Sequence, residues 1–141
     1  MTVTQVPIDA GLFTWPADEP RLIGSRCTQC SLVMFPTQDG CARCGLPTAT
    51  HLLPRRGTLY SFTTQGFLPK EPYKGPETPA NFTPFGVGLV QLADEVRVEA
   101  RLTEHDPSRL RFDMPVELVI VPFCTDDDGN DVMTFAFEPV D

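Results

Sequence analysis

The sequence predicts a mainly β fold: a partly helical leader, a small metal-stapled module and a closed five-stranded barrel. Fifteen prolines and ten glycines in 141 residues favour short strands and irregular connections over long helices. Four cysteines form two Cys-x-x-Cys pairs with ten residues between the pairs. Beyond residue 57, five short runs rich in β-branched and aromatic residues indicate strands. We therefore expect a leader at 1–26, a metal module at 27–52 and a barrel at 53–141.

The leader contains apolar residues that a short helix could present on one face: Leu12, Phe13, Trp15, Leu22 and Ile23. Prolines at positions 16 and 20 limit any helix there to one or two turns. We expect residues 1–26 to be partly helical.

The cysteine module has the spacing of a rubredoxin-like zinc ribbon, in which two knuckles present four thiolates to one tetrahedral ion. The ligands are Cys27, Cys30, Cys41 and Cys44. Four protein ligands leave no open position for a substrate, so the spacing predicts a structural Zn²⁺ site, although iron uses the same ligands. Two disulfides or a thioredoxin-like pair fit less well, because the chain shows no secretory signal and the pairs are matched. Arg26 and Arg43 lie beside the ligands and offset their negative charge.

The five predicted strands are residues 57–67, 85–92, 96–102, 115–123 and 131–137. A helical turn is expected near residues 106–110, and polar turns at 94–95 and 124–131. This order fits a small barrel of the OB type, and a five-stranded sandwich is the alternative.

The connection between the first two predicted strands is unusually long. Residues 68–84 hold five prolines and the only two lysines of the chain. Connections of this length are usually functional or disordered, and this one contacts ligands in OB folds. We predict that it contacts a ligand or a partner through Phe67, Lys70, Tyr73, Lys74, Phe82 and Phe85.

The polar residues outside the cysteine module offer little catalytic material. His51 is most simply a structural histidine, His105 precedes a predicted helix cap, and Cys124 ends an apolar strand. Neither a Gly-x-Ser-x-Gly elbow nor a phosphate-binding glycine loop is present. The residues favour a binding or scaffolding module over an enzyme that acts alone.

Charge and hydropathy restrict the partners and the compartment. All of the net charge of −8 comes from residues 104–141, which contain ten acidic residues and only two arginines. An acidic chain without a basic stripe is poorly suited to nucleic-acid phosphates. No apolar run reaches the ~18–20 residues that span a bilayer. We therefore expect a cytoplasmic protein with no membrane segment.

Several blocks together resemble a known family. The order "RLIGSRCTQCSLVMFP", "CARCG", "RRGTLYSFTT", "PFGVGLVQLADEVRVEARL" and "MPVELVI" is similar to the acyl-CoA-associated zinc-ribbon/OB-fold family, catalogued as domain of unknown function thirty-five. The resemblance covers roughly residues 12–138. It carries the four cysteines and the block Gly57, Thr58, Tyr60 and Phe62. Two positions that are usually glycine hold Ser31 and Asp113.

The resemblance implies a small partner subunit of thiolase-superfamily enzymes, namely thiolases, acyltransferases or side-chain aldolases. Such a subunit forms a hetero-oligomer near the acyl-CoA channel, where a coenzyme A thioester meets the interface, and the partner supplies the catalytic residues. One alternative is a nucleic-acid binder that stacks bases on Tyr60 and Phe62. The other is a stand-alone enzyme using Cys124 or His105.

Overall fold

The computed structural model describes residues 4–140 as two connected β-sheets. The strands are β1 Gln5–Pro7, β2 Ile23–Cys27, β3 Val33–Met34, β4 Thr48–Leu52, β5 Arg56–Gln65, β6 Phe85–Leu92, β7 Val96–Leu102, β8 Pro115–Thr125 and β9 Asp131–Pro139. A 3-10 helix, Pro107–Arg109, lies between β7 and β8. Within the described part of the chain there is no helix long and apolar enough to cross a membrane.

Strands β5 to β9 form a closed barrel. Their order is β9-β7-β6-β5-β8, and β8 pairs with β9 to complete the ring. The β7–β9 pairing is parallel, whereas the remaining barrel pairings are antiparallel. This is the predicted OB-type barrel, and its closure distinguishes it from a sandwich of two open sheets.

The barrel interior follows the alternation of each strand. Every second residue of β6 is buried, beginning at Gly86 and ending at Leu92. Leu110 and Met114, from the segment around the 3-10 helix, join the same core. The barrel strands contribute ten further buried apolar side chains to this core: Leu59, Val90, Leu92, Val98, Ala100, Leu102, Val116, Leu118, Met133 and Phe137. Period-two burial explains why sequence alternation predicts these strands well.

The predicted helical leader is wrong for the residues that can be described. Between residues 4 and 26 the chain contains no helix; β1 lies parallel to β9, and Phe13 pairs with Leu22 in an antiparallel bridge. The backbone is satisfied by sheet-like bonds, such as Thr14 N–H to Arg21 O at 2.9 Å. Phe13 and Leu22 are buried in the main core. Sheet-like pairing therefore satisfies the backbone hydrogen bonds of this segment, whose prolines prevent it from forming a long helix.

The second sheet, ordered β3-β2-β4, carries the cysteines and packs on the barrel. Val33 and Leu53 belong to the same hydrophobic cluster as the barrel core. Phe35 packs edge-on against Phe135 of β9, with ring centroids 5.6 Å apart. The apolar stretch between the cysteine knuckles thus covers the barrel.

Candidate metal centre and loop surface

The four predicted cysteine ligands converge at one point. Their Sγ atoms all lie within 4.8 Å of one another. Three of the Sγ–Sγ distances are 3.4 Å for Cys27–Cys44, 3.5 Å for Cys30–Cys41 and 3.8 Å for Cys30–Cys44. A tetrahedral zinc with Zn–S bonds of about 2.3 Å has sulfurs about 3.8 Å apart, whereas a disulfide has them at about 2 Å. The donor set and its spacing fit a tetrahedral metal ion.

Each knuckle is a tight turn closed by its own backbone. Ser31 N–H bonds to Cys27 O at 3.2 Å, and Gly45 N–H bonds to Cys41 O at 2.8 Å. Both residues that end the turns have positive φ, 65° at Ser31 and 74° at Gly45. Backbone N–H groups also point at the sulfurs, including Arg43 N–H at 3.3 Å from Cys41 Sγ. These bonds stabilise thiolates, as a metal ligand requires.

The thiols of Cys30 and Cys44 have pKa values shifted in opposite directions. The Arg43 guanidinium, followed by the Leu32 backbone, lowers the pKa of Cys30 to about 6. A backbone bond from Leu46 lowers the pKa of Cys44, but its neighbour Cys27 and burial outweigh that bond and raise the pKa to about 12. Four adjacent thiolates repel one another, so a cation is what allows all four to be ionised together.

The remaining residues singled out in the sequence lie outside this cluster. His51 instead meets Glu95 at 2.5 Å and joins β4 to the β6–β7 turn. Arg43 also bonds to Cys30 O at 3.2 Å, whereas Arg26 lines a groove between the ribbon and the β6–β7 turn. Cys124 is half-buried and His105 is exposed. The four cysteines are the one potential metal-binding cluster within residues 4–140.

The long connection, residues 66–84, is fastened to the barrel through Tyr73. Its hydroxyl donates to Glu77 at 2.9 Å and accepts from Arg101 Nη2 at 3.0 Å. The Tyr73 ring packs edge-on against Phe123 at 5.6 Å. Burial, followed by the bond to Glu77, raises the pKa of Tyr73, so the hydroxyl keeps the proton that it donates.

The other predicted loop residues divide into two groups. Phe82 and Phe85 pack on each other at 6.1 Å, and the Arg101 guanidinium lies 3.6 Å from the Phe85 ring centroid. Phe67 is 83% exposed. Both lysines are exposed, Lys74 lying 3.8 Å from Glu71. The predicted residues therefore do not form one site, although Tyr73, Phe82 and Phe85 lie close to Arg101.

Arg101 and Phe123 were missed by sequence reasoning. Arg101 is one of three polar residues that alternate along β7, and nothing local distinguishes it from Arg97. Its stacking with Phe85 on β6 and with Phe123 on β8 depends on the barrel topology. One signal could have indicated Arg101. It lies on the outer face of β7, and in OB folds ligands bind to the face of the second and third barrel strands, beside the loop between the first and second.

The aromatic pair considered for base stacking already has neighbours. The Arg97 guanidinium lies 3.8 Å from the centroid of the Tyr60 ring. Phe62 packs against Phe112 with centroids 5.3 Å apart. Base stacking on either ring would have to displace these contacts.

Two family models match the chain in the order of its two sheets. The model described as "ChsH2, rubredoxin-like zinc ribbon domain" matches residues 14–46, and "ChsH2, C-terminal OB-fold domain" matches residues 50–121. The chain belongs to this family. The resemblance inferred from the sequence is confirmed, including its zinc-ribbon and OB-fold parts.

Two relatives and one solved structure match most of the chain. The benzoylsuccinyl-CoA thiolase subunit BbsA of Geobacter metallireducens is 30% identical over 98% of this chain and 83% of its own length. A DUF35 domain-containing scaffold protein of Methanocaldococcus jannaschii is 26% identical over 85% of this chain and 82% of its own length. Among solved structures, the "Ltp2-ChsH2(DUF35) aldolase" matches with a TM-score of 0.62 and 26% identity, covering 84% of each chain.

Proposed function

We propose that this chain is a zinc-binding accessory subunit of a thiolase-superfamily complex and is not catalytic by itself. The partner is a thiolase, an acyltransferase or a side-chain aldolase, and it requires this chain for assembly and activity. The observation that carries the proposal is the near end-to-end match to a protein named as a thiolase subunit. The match to an aldolase that contains a ChsH2 DUF35 chain supports the same role.

In this proposal the metal has a structural role. Cys27, Cys30, Cys41 and Cys44 hold the ion, which replaces a hydrophobic core in residues 27–52. A four-cysteine site supplies cross-linking and no vacant coordination position. The ribbon and the barrel of residues 53–141 then present one surface to the partner.

The docking surface includes the loop between β5 and β6. Phe67 is the most exposed of its aromatic side chains, and large exposed apolar side chains are typical anchors of interfaces. Lys70 and Lys74 are exposed on the same loop and are available to the phosphates of a coenzyme A thioester near the partner's channel.

Co-expression with a thiolase-type subunit from the same genome tests the proposal. A tagged copy should co-purify with that subunit, and native mass spectrometry should detect the complex. Thiolysis or aldol cleavage should require both chains. The chain alone should show neither activity. Recovery of the tagged chain as a monomer, or full activity of the partner without it, would disprove the role.

A matched pair of variants tests the docking loop. Phe67→Ala should weaken the complex about 30-fold, the effect of an interface anchor worth about 2 kcal/mol, and leave the melting temperature unchanged. Phe112→Ala removes another exposed aromatic ring, 67% exposed, that lies outside the loop. If only Phe112→Ala weakens the complex, the loop is not the docking element although the accessory role stands.

A further inference from the structure

A groove beside the long loop has an apolar floor and a polar rim. Its volume is about 410 Å³, and its floor includes Leu102, Val121 and Ala136. The rim carries Thr83, Thr103 and Arg101. Phe85 and Arg101 also line an adjoining groove that contains Phe123 and Phe135. The two grooves therefore meet at one arginine.

The Arg101 side chain is held in place by aromatic stacking. Its guanidinium lies 3.6 Å from the centroid of Phe85 and 5.9 Å from that of Phe123. Stacked rings fix the plane of a guanidinium and leave the N–H groups at its edge free to donate. Within residues 4–140 its side-chain hydrogen bond goes to Tyr73, and no carboxylate lies within 4.0 Å of it. Arg101 is thus a fixed cation with unused donors.

Glu77 is the acidic residue on the rim of the same groove. Its carboxylate accepts two bonds from the Tyr73 hydroxyl, at 2.9 and 3.2 Å, so Tyr73 stands between it and Arg101. The negative charge of Glu77 opposes an incoming anion without occupying the Arg101 donors. Removing this charge should therefore strengthen anion binding.

We propose that the Arg101 groove binds a carboxylate joined to an apolar body. The carboxylate meets the guanidinium edge, where paired N–H donors match its two oxygens, and the apolar body covers Leu102, Val121 and Ala136. The hydroxyls of Thr83 and Thr103 supply further donors at the rim. All of the lining residues belong to this chain, so this proposal can be tested without the thiolase-type partner and separately from the proposed function.

Benzoate is a suitable probe, titrated into the full-length metal-loaded chain and followed by backbone NMR. Shifts should centre on Thr83, Phe85, Arg101 and Thr103. Arg101→Gln should weaken binding at least about tenfold, because it removes a charge-assisted pair of hydrogen bonds. Arg97→Gln is the matched control: it lies on the same strand, its guanidinium is 3.8 Å from the Tyr60 centroid, and it is outside the groove. It should leave the affinity unchanged.

Arg101→Gln also removes the hydrogen bond to Tyr73 and could disturb the long loop, so further variants and ligands test the site without that change. Glu77→Gln retains an acceptor for Tyr73 and should tighten benzoate binding several-fold. Benzamide, which lacks the charge, should bind far more weakly than benzoate. Inorganic phosphate that binds as tightly as benzoate would contradict the role of the apolar floor. Equal affinity of the wild type and Arg101→Gln, or shifts confined to another face, would overturn the proposal.

Discussion

Gly57 lies on β5 between β6 and β8, and replacing it with alanine should strongly destabilise the protein. It pairs with Val116 of β8 on one side, and its neighbour Thr58 pairs with Gln91 of β6 on the other. A Cβ atom at this position would lie 2.3 Å from Gln91 O, 2.8 Å from Leu92 Cδ2 and 3.1 Å from Val90 Cγ1. The closest of these is a backbone atom, which cannot rotate away. Strand β6 must therefore retreat by about 1 Å to restore an ordinary contact.

The expected magnitude follows from the cost of overpacking. Forcing an extra carbon into a packed core costs typically about 1–3 kcal/mol, and a clash with backbone places Gly57→Ala near the upper end. For a chain of this size each kcal/mol lowers the melting temperature by about 2–4 °C, so we expect a fall of about 6–12 °C.

Thermal unfolding followed by circular dichroism measures this effect, with Gly66→Ala as the matched control. Gly66 directly follows the last residue of β5, and a Cβ there meets nothing within 4 Å. Gly66→Ala should be neutral or stabilising by up to about 1 kcal/mol, because alanine reduces the entropy of the unfolded chain. If Gly57→Ala melts at the same temperature as the wild type, strand β6 does not lie this close to Gly57.

Three further predictions concern the metal, a strained turn and a hairpin. Cys44→Ser should abolish metal binding, whereas Cys124→Ser should keep one ion per chain. Elemental analysis measures the metal content and distinguishes zinc from iron. Metal retained by Cys44→Ser would argue against the four-thiolate site. Ser31→Gly should raise the melting temperature, because glycine removes the strain of a φ of 65°, and a lower value would contradict this. The Asn130 backbone N–H holds the pKa of Asp126 below its usual range, so its stabilisation is complete above about pH 4 and is lost as pH falls through the lower folded value. The difference in melting temperature between wild type and Asp126→Asn should therefore shrink on acidification, and a constant difference would refute it.

Local signals were enough to predict the cysteine cluster and the barrel strands. A Cys-x-x-Cys knuckle is closed by bonds between residues four apart, such as Gly45 N–H to Cys41 O, so its geometry follows from its own spacing. Strands β6 and β7 occupy the predicted residues 85–92 and 96–102, because their alternation records a buried and an exposed face. The β8–β9 tip is the predicted polar turn, with Asp126 accepting from Asn130 at 2.8 Å.

Long-range pairing set the features that sequence reasoning missed. The leader was predicted as partly helical because its apolar residues lie close together, yet β1 finds its partner β9 more than a hundred positions later. No local pattern records that choice. The Arg101 cluster joins β6, β7, β8 and the long loop, and becomes visible only once the barrel is closed.

Ser31 and Asp113 share an uncommon backbone conformation. Both have positive φ, 65° and 64°, which lies in the left-handed region that glycine adopts most easily. Asp113 tolerates this conformation better than most residues, and its N–H bonds to Leu59 O at 2.8 Å. The turn at Asp113 is thus held by backbone hydrogen bonds to strand β5.

The metal site allows the ribbon to use its apolar residues on the barrel. The ribbon's own cluster is small, consisting of Cys27, Met34 and Cys41 with Cys30 and Leu32 packed against them. Val33 and Phe35, between the knuckles, pack instead with the main core and with Phe135. A ribbon that buried these side chains in a core of its own could not also bury them against the barrel. The four-cysteine centre therefore fixes the ribbon so that its apolar side covers the barrel, while the long loop and the Arg101 groove remain exposed.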